Sequence, residues 1–187
     1  MAQAQTARSR LIEIVRARSL HTGAAITLAS GKTSTFYINL KPTMLDAEGA
    51  HLLAGLILDE LGDASIDLVG GMEMGAVPLA TCVVAASHTR GLPLRAFFVR
   101  KQAKDHGTKS LVEGLAPGET LDGKRIAMLE DVTTTGGSTM RAVLALQAEG
   151  AVIDRVIVVV DRLEGAAETF KAAGIPFTAL LTAADFG

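Results

Sequence analysis

Five short apolar runs, at residues 66–69, 94–99, 125–129, 155–160 and 177–181, alternate with segments of helical length. Each run is too short for a helix and too continuous for a strand with one wet face. Runs of this kind suit strands buried on both sides, and their alternation with helices predicts an α/β chain with a mainly parallel central sheet flanked by helices. The helices fall at 75–87, rich in Ala and Val, in the stretch that ends at Glu149 before Gly150, and at 165–173. In such sheets ligands bind beyond the carboxyl ends of the strands, so the chemistry is expected in the segments that follow them.

The stretch upstream is different. Leu11, Ile12 and Val15 share one face of a helix over 7–18. Ile26-Thr27-Leu28 and Phe36-Tyr37-Ile38 flank the polar turn Ser30-Gly31-Lys32, which predicts two short strands, and Lys41-Pro42 closes the segment. Asp46 is placed to cap a helix that runs through Leu61, with Gly62 as its C-terminal stop. The 187 residues suit one domain, with no internal repeat and no low-complexity tail.

Composition excludes several classes of function. Aromatic residues are 4% and Trp is absent, so the core must rest on Leu, Val, Ile and Ala, and no platform exists for stacking single-stranded nucleic acid. Eighteen basic against twenty acidic residues leave a charge of −2, too little to attract a polyanion by a general field. Anion binding must be local. Cys82 is the single cysteine and is expected in the core; His21, His51, His88 and His106 have no zinc spacing, and the first three are expected to be surface or structural. Glu13 and Arg16 interrupt the N-terminal segment before it resembles a signal peptide, and no stretch approaches the ~20 apolar residues of a membrane helix. A cytoplasmic chain that engages neither membrane nor nucleic acid is the expectation.

The segment Ile126 to Thr139, IAMLEDVTTTGGST, carries the densest chemistry. An apolar strand runs into Glu130 and Asp131, then Thr133, Thr134, Thr135, Gly136, Gly137 and Ser138 lead into a helix. Glycines let backbone approach a ligand, and a helix start favours phosphate. Two carboxylates suit sugar hydroxyls or a developing positive charge. No Lys follows the glycines as in a P-loop, the GxGxxG spacing is missing, and Met140 stands where a nucleophile elbow needs Gly. An ordinary strand-to-helix turn with N-capping Thr and Ser is the plain alternative.

This segment resembles the phosphoribosyl diphosphate (PRPP) motif of type I phosphoribosyltransferases, and its EDVTTTGGS wording is especially similar to that of orotate phosphoribosyltransferases. The resemblance implies that Glu130 and Asp131 face the ribose of PRPP, with Asp131 catalytic. It implies that Thr133, Thr134, Thr135, Gly136, Gly137 and Ser138 hold the 5-phosphate, Thr134 also meeting orotate. RKQAKDHG, within the charged stretch 100–114, resembles the catalytic loop of the same family and separates it from most purine enzymes. Arg100, Lys101, Lys104 and His106 are then diphosphate contacts, with Lys104 and His106 catalytic, Gly107 and Gly114 pivots, and Lys109 on the solvated rim. A charged run of this kind is otherwise a solvated face.

Three further segments resemble the family. SGKTSTFYINLK, residues 30–41, is similar to its hood over the base, which places Lys32, Phe36 and Tyr37 at orotate; a surface hairpin with two core aromatics reads the same residues. The hood is expected mainly at 20–45, with the C-terminal segment. GGMEMGAVPLAT, residues 70–81, resembles the loop that meets pyrophosphate; some members carry a Lys near Met74, and this chain does not. Arg162 stands where the family recognises the orotate carboxylate, a task suited to a planar fork, although a pairing with Asp161 or Glu164 is the alternative. The family further implies Mg²⁺ carried mainly by PRPP, with no direct protein ligand, and a homodimer sharing the charged loop. Orotate phosphoribosyl transfer is the expected activity in pyrimidine biosynthesis. A transferase for another base and a non-catalytic PRPP-sensing regulator are the rivals.

Overall fold

The computed structural model describes residues 2–27, 33–102 and 111–187. Helix α1 (Ala2–Arg18) buries Leu11, Ile14 and Val15 at helical spacing, while Ile12 lies at the margin of the core rather than within it. Strands β1 (Leu20–Thr27) and β2 (Thr33–Ile38) pair antiparallel as a separate two-stranded sheet. Lys41-Pro42 does not simply end this segment: Lys41–Met44 forms a short helical turn, α2, with Pro42 near its start, where a missing N–H costs nothing. Helix α3 (Ala47–Leu61) begins and ends where its caps put it. Asp46 accepts from the Gly49 N–H at 3.1 Å, and the Gly62 N–H reaches Leu58 O.

The main sheet has six strands in the order β5-β4-β3-β6-β7-β8. These are β3 (Leu68–Met72), β4 (Arg95–Val99), β5 (Val112–Glu113), β6 (Arg125–Thr133), β7 (Val152–Asp161) and β8 (Phe177–Thr182). All neighbours are parallel except β4 and β5. Helices α4 (Ala76–Thr89), α5 (Gly137–Ala148) and α6 (Ala166–Ala172) supply the crossovers. Two strands differ from expectation. β5, inside the stretch expected to be loop, pairs Phe98 with Glu113 and Val99 with Val112, and Val112 adds its side chain to the core. β6 continues four residues beyond Leu129, so the two acids and Thr133 are strand residues.

The core divides by sheet face. Ala127 and Leu129 of β6 pack with α1, α3 and α4; Ile126 and Met128 pack with α5 and α6. This is the period-two alternation of a strand covered on both sides. Cys82 on α4 is only half-buried; desolvation still pushes its thiol up to about 11, so it is a weak nucleophile at neutral pH. His21, His51 and His88 lie on the surface. The chain's ends are tied together: Arg8 of α1 donates to both carboxylate oxygens of Asp185 at 2.8 Å and to Leu180 O at 3.0 Å.

Candidate active site

A cleft of about 470 Å³ opens at the carboxyl ends of β3, β4 and β6. Met72, Glu73, Met74 and Gly75 line it from the turn between β3 and α4, Lys101 from beyond β4, Glu130 and Asp131 from β6, Ser138 from α5, and Lys41 from α2. A second hollow, about 350 Å³, lies at the amino ends of β3 and β4 between Leu58–Ile66 and Gly91–Leu94; its wall is chiefly apolar and Asp63 is its one ionisable group. The first cleft alone of these two gathers acids, lysines and a helix-start serine at the carboxyl ends of the strands.

Strand alternation sends the two acids in opposite directions. Glu130 continues the row of Ile126 and Met128 and turns toward α5, where its Oε2 accepts the Thr139 hydroxyl. Asp131 continues the row of Ala127 and Leu129 and turns toward α4. Its carboxylate lies so close to Gly75 that a Cβ there would be 2.3 Å from Oδ1. Their Cβ atoms thus leave opposite faces of β6, yet both carboxyl groups line the one cleft and lie within hydrogen-bonding reach of each other. Both α4 and α5 start at this cleft, and among the described residues no side chain caps either helix. The plain reading of Ser and Thr as N-caps therefore fails for α5, whose cap position is Gly136 in a left-handed conformation. Exposed N–H groups at both starts favour anions.

Burial pushes the Glu130 carboxyl up to about 7, and the charge of Asp131 adds to the rise; the Thr139 hydroxyl and Lys101 oppose it. An unfolded glutamate releases its proton near the ordinary value of 4.5. Between these values the folded chain binds the extra proton, so this group's contribution to stability falls as pH rises from about 4.5 through about 7. Glu130→Gln stays neutral and keeps an acceptor for Thr139. Its melting temperature at about pH 8 should exceed that of the wild type by at least ~2–4 °C, the effect of one kcal/mol in a chain this size, and the gap should close near pH 4. Thermal melts at the two pH values check this, and a less stable variant at the higher pH contradicts it.

The remaining expected residues divide into three groups. Lys101, Glu130, Asp131 and Ser138 meet in the cleft; Thr133 ends β6, Thr134 to Gly136 form the turn beyond it, and Gly137 opens α5. Others stand nearby with partners of their own. Arg100 sits 3.6 Å from Glu113 and donates to Gln102 O, which pins the root of the charged stretch to β5. Arg162 follows Asp161, the register partner of Thr133, and its guanidinium meets Glu164 at 3.0 Å. Tyr37 is partly exposed with its ring 6.0 Å from that of His21. Lys32, Lys104, His106, Gly107 and Lys109 lie outside the described residues, and of Phe36 only the backbone is described. Sequence reading missed Lys41, Glu73 and Thr139. Glu73 Oε1 accepts the Lys101 N–H at 2.9 Å and so joins the β3–α4 turn to the stretch after β4. Each of the three had a sequence signal in its segment: Lys41 ends the hood-like stretch 30–41, Glu73 lies in the pyrophosphate-loop stretch 70–81, and Thr139 directly follows the Thr/Gly loop.

No protein-family model matches the chain. An orotate phosphoribosyltransferase from Bradyrhizobium sp. (strain BTAi1) is 57% identical over 179 residues, which span 96% of each chain. The crystal structure of Mycobacterium tuberculosis H37Rv orotate phosphoribosyltransferase in complex with PRPP aligns with a TM-score of 0.79 at 35% identity, over 97% of this chain and 99% of that one. Adenine phosphoribosyltransferase from Leishmania donovani shares the fold, with a TM-score of 0.65 over 94% of this chain and 80% of that one, but only 13% identity. The fold is thus common to purine and pyrimidine transferases, whereas the sequence follows one branch from end to end: this chain belongs to the orotate phosphoribosyltransferase family.

Proposed function

We propose that the chain transfers ribose 5-phosphate from PRPP to orotate, giving orotidine 5-phosphate and pyrophosphate, in UMP biosynthesis. The observation that carries this reading is the placement of Glu130 and Asp131 together at one strand end, in one cleft between two uncapped helix starts and beside Lys41 and Lys101. A ring nitrogen of orotate attacks the anomeric carbon as the bond to the diphosphate oxygen breaks. Positive charge grows on the ribose and negative charge on the leaving group. Asp131 stands for the first, and Lys101, Lys41 and the start of α4 for the second. Arg100, Lys104 and His106 complete the diphosphate contacts.

Thr133, Thr134, Thr135, Gly136, Gly137 and Ser138 take the 5-phosphate at the start of α5, while Glu130 takes ribose hydroxyls. Lys32, Phe36, Tyr37 and Thr134 serve the base, and Arg162 exchanges Glu164 for the orotate carboxylate. Orotate is already an anion, so orientation and electrostatics replace a strong general base. Among the described residues the cleft lining offers the oxygen donors Glu73, Glu130 and Asp131 but no His or Cys, and no group of three is arranged to hold a metal ion. That donor set suits Mg²⁺ carried by the substrate, where it neutralises diphosphate charge through oxygen and water ligands. The working unit is one domain, with the hood at 20–45 and the C-terminal segment, assembled as a cytoplasmic homodimer that shares the 100–114 stretch. No helix of the described residues is long and apolar enough to cross a membrane.

Orotate consumption, followed by ultraviolet absorbance with PRPP and Mg²⁺, tests the reading against parallel reactions with uracil, adenine and hypoxanthine. Signal loss with orotate alone, dependent on PRPP, is expected. Turnover of a purine instead, or PRPP binding without turnover of any base, overturns it. Lys104→Ala should lower kcat by about a hundredfold, the scale of losing one charge-stabilising donor, with orotate affinity changed far less. Unchanged turnover in that variant removes Lys104 from catalysis.

A further inference from the structure

Thr139 is the third residue of α5 and is 1% exposed. A threonine in the first turn of a helix can spend its hydroxyl on nearby backbone. This one donates across to Glu130 Oε2 on β6. The groups around Glu130 explain why that matters. Asp131 follows it in the strand and disfavours its charge, while Glu73 and Lys41 line the same cleft. Lys101 favours the charge, but it is exposed and screened by water and salt. Among the described residues, Thr139 is the buried donor to this carboxylate. With Oε2 engaged there, the carboxyl's remaining hydrogen-bonding capacity turns to the cleft, where Asp131 is within reach.

We infer that Thr139 is a positioning residue for the transfer reaction: its hydroxyl fixes the orientation of the Glu130 carboxylate and holds it as an ionised acceptor for the ribose hydroxyls of PRPP. The inference rests on the reading of Glu130 as a ribose contact. Without the hydroxyl, a buried acid beside Asp131 keeps its proton at neutral pH. It then offers a donor where the sugar hydroxyls need an acceptor.

The test compares the pH profile of kcat/KM for PRPP in wild type, Thr139→Val, Thr139→Ser and Glu130→Gln. In Thr139→Val the acid limb should move up by about one pH unit, with roughly a tenfold loss near neutrality that recovers toward pH 9, since a hydrogen bond to a charged group is worth about that much. The loss should fall mainly on KM for PRPP. Thr139→Ser, which keeps the hydroxyl, should follow the wild type. Superimposable profiles for Thr139→Val and wild type overturn the inference, as does an equal loss at every pH that Thr139→Ser fails to rescue. Should circular dichroism show Thr139→Val unfolded, Thr139→Ala against Thr139→Ser makes the same comparison. Glu130→Gln separates the two readings. Wild-type kcat/KM in that variant refutes the ribose contact and the inference with it; an impaired Glu130→Gln beside an unmoved Thr139→Val profile refutes the role of Thr139 alone.

Discussion

Asp131→Asn is expected to lower kcat by about two to three orders of magnitude while changing the melting temperature little, because it removes one fixed charge from the reacting centre and almost no volume. The carboxylate sits at the end of β6, half-buried, on the side of the sheet that faces α4. A charge held in a partly dry cleft acts on a developing cation more strongly than one in water. Its position depends on Gly75, which leaves no side chain in the space the carboxylate fills. Gly75→Ala should therefore reproduce part of the loss without removing the charge, since the new Cβ would lie 2.3 Å from Oδ1 and 2.6 Å from Cγ. Steady-state orotate consumption measures both variants. A kcat for Asp131→Asn within about threefold of wild type would show that the charge does not act in the chemical step.

The pairing of Asp131 with Gly75 marks the limit of what the chain discloses without coordinates. The adjacency of Glu130 and Asp131 after an apolar strand was legible, and so was their place at the carboxyl end of a parallel sheet. Their divergence to opposite faces was implicit in the alternation of Ile126 to Leu129 but required knowing that the strand continues. It does so because Glu130, Val132 and Thr133 keep their register with β7, Val132 still packing against the core while Glu130 and Asp131 line the cleft. Helix α3 was legible to the residue, since Asp46 and Gly62 do local capping chemistry that needs no partner. β5 was not, because two residues joined through backbone hydrogen bonds carry no periodicity. Lys41 and Glu73 lie in the two segments, 30–41 and 70–81, that resemble the family's site, but which side chain of each reaches the cleft depends on tertiary placement, from α2 and from the β3–α4 turn.

Gly136→Ala should be strongly destabilising for the addition of a single methyl. Gly136 has φ of +77°, which costs a residue with a Cβ about 1–2 kcal/mol. The added carbon would lie 2.9 and 3.0 Å from Cε2 and Cζ of Phe170. That ring cannot retreat freely, being fully buried on α6 and stacked on Phe177 at 5.1 Å. Overpacking of this kind adds about 1–3 kcal/mol. Together these effects predict a fall in melting temperature of roughly 5–15 °C. They also predict a rise in KM for PRPP, because the turn that yields is the one at the start of α5. Thr169 holds the same turn from α6, its hydroxyl donating to Thr135 O at 2.8 Å, so the displaced loop also strains that contact. Phe170→Leu offers a way to separate the two costs. In the double variant the collision is relieved while the backbone strain stays, so a double-mutant cycle should give a favourable coupling of about 1 kcal/mol or more between the two substitutions. Strict additivity would mean that the ring is not what confines Gly136, and a wild-type melting temperature for Gly136→Ala would mean that the turn tolerates a side chain after all.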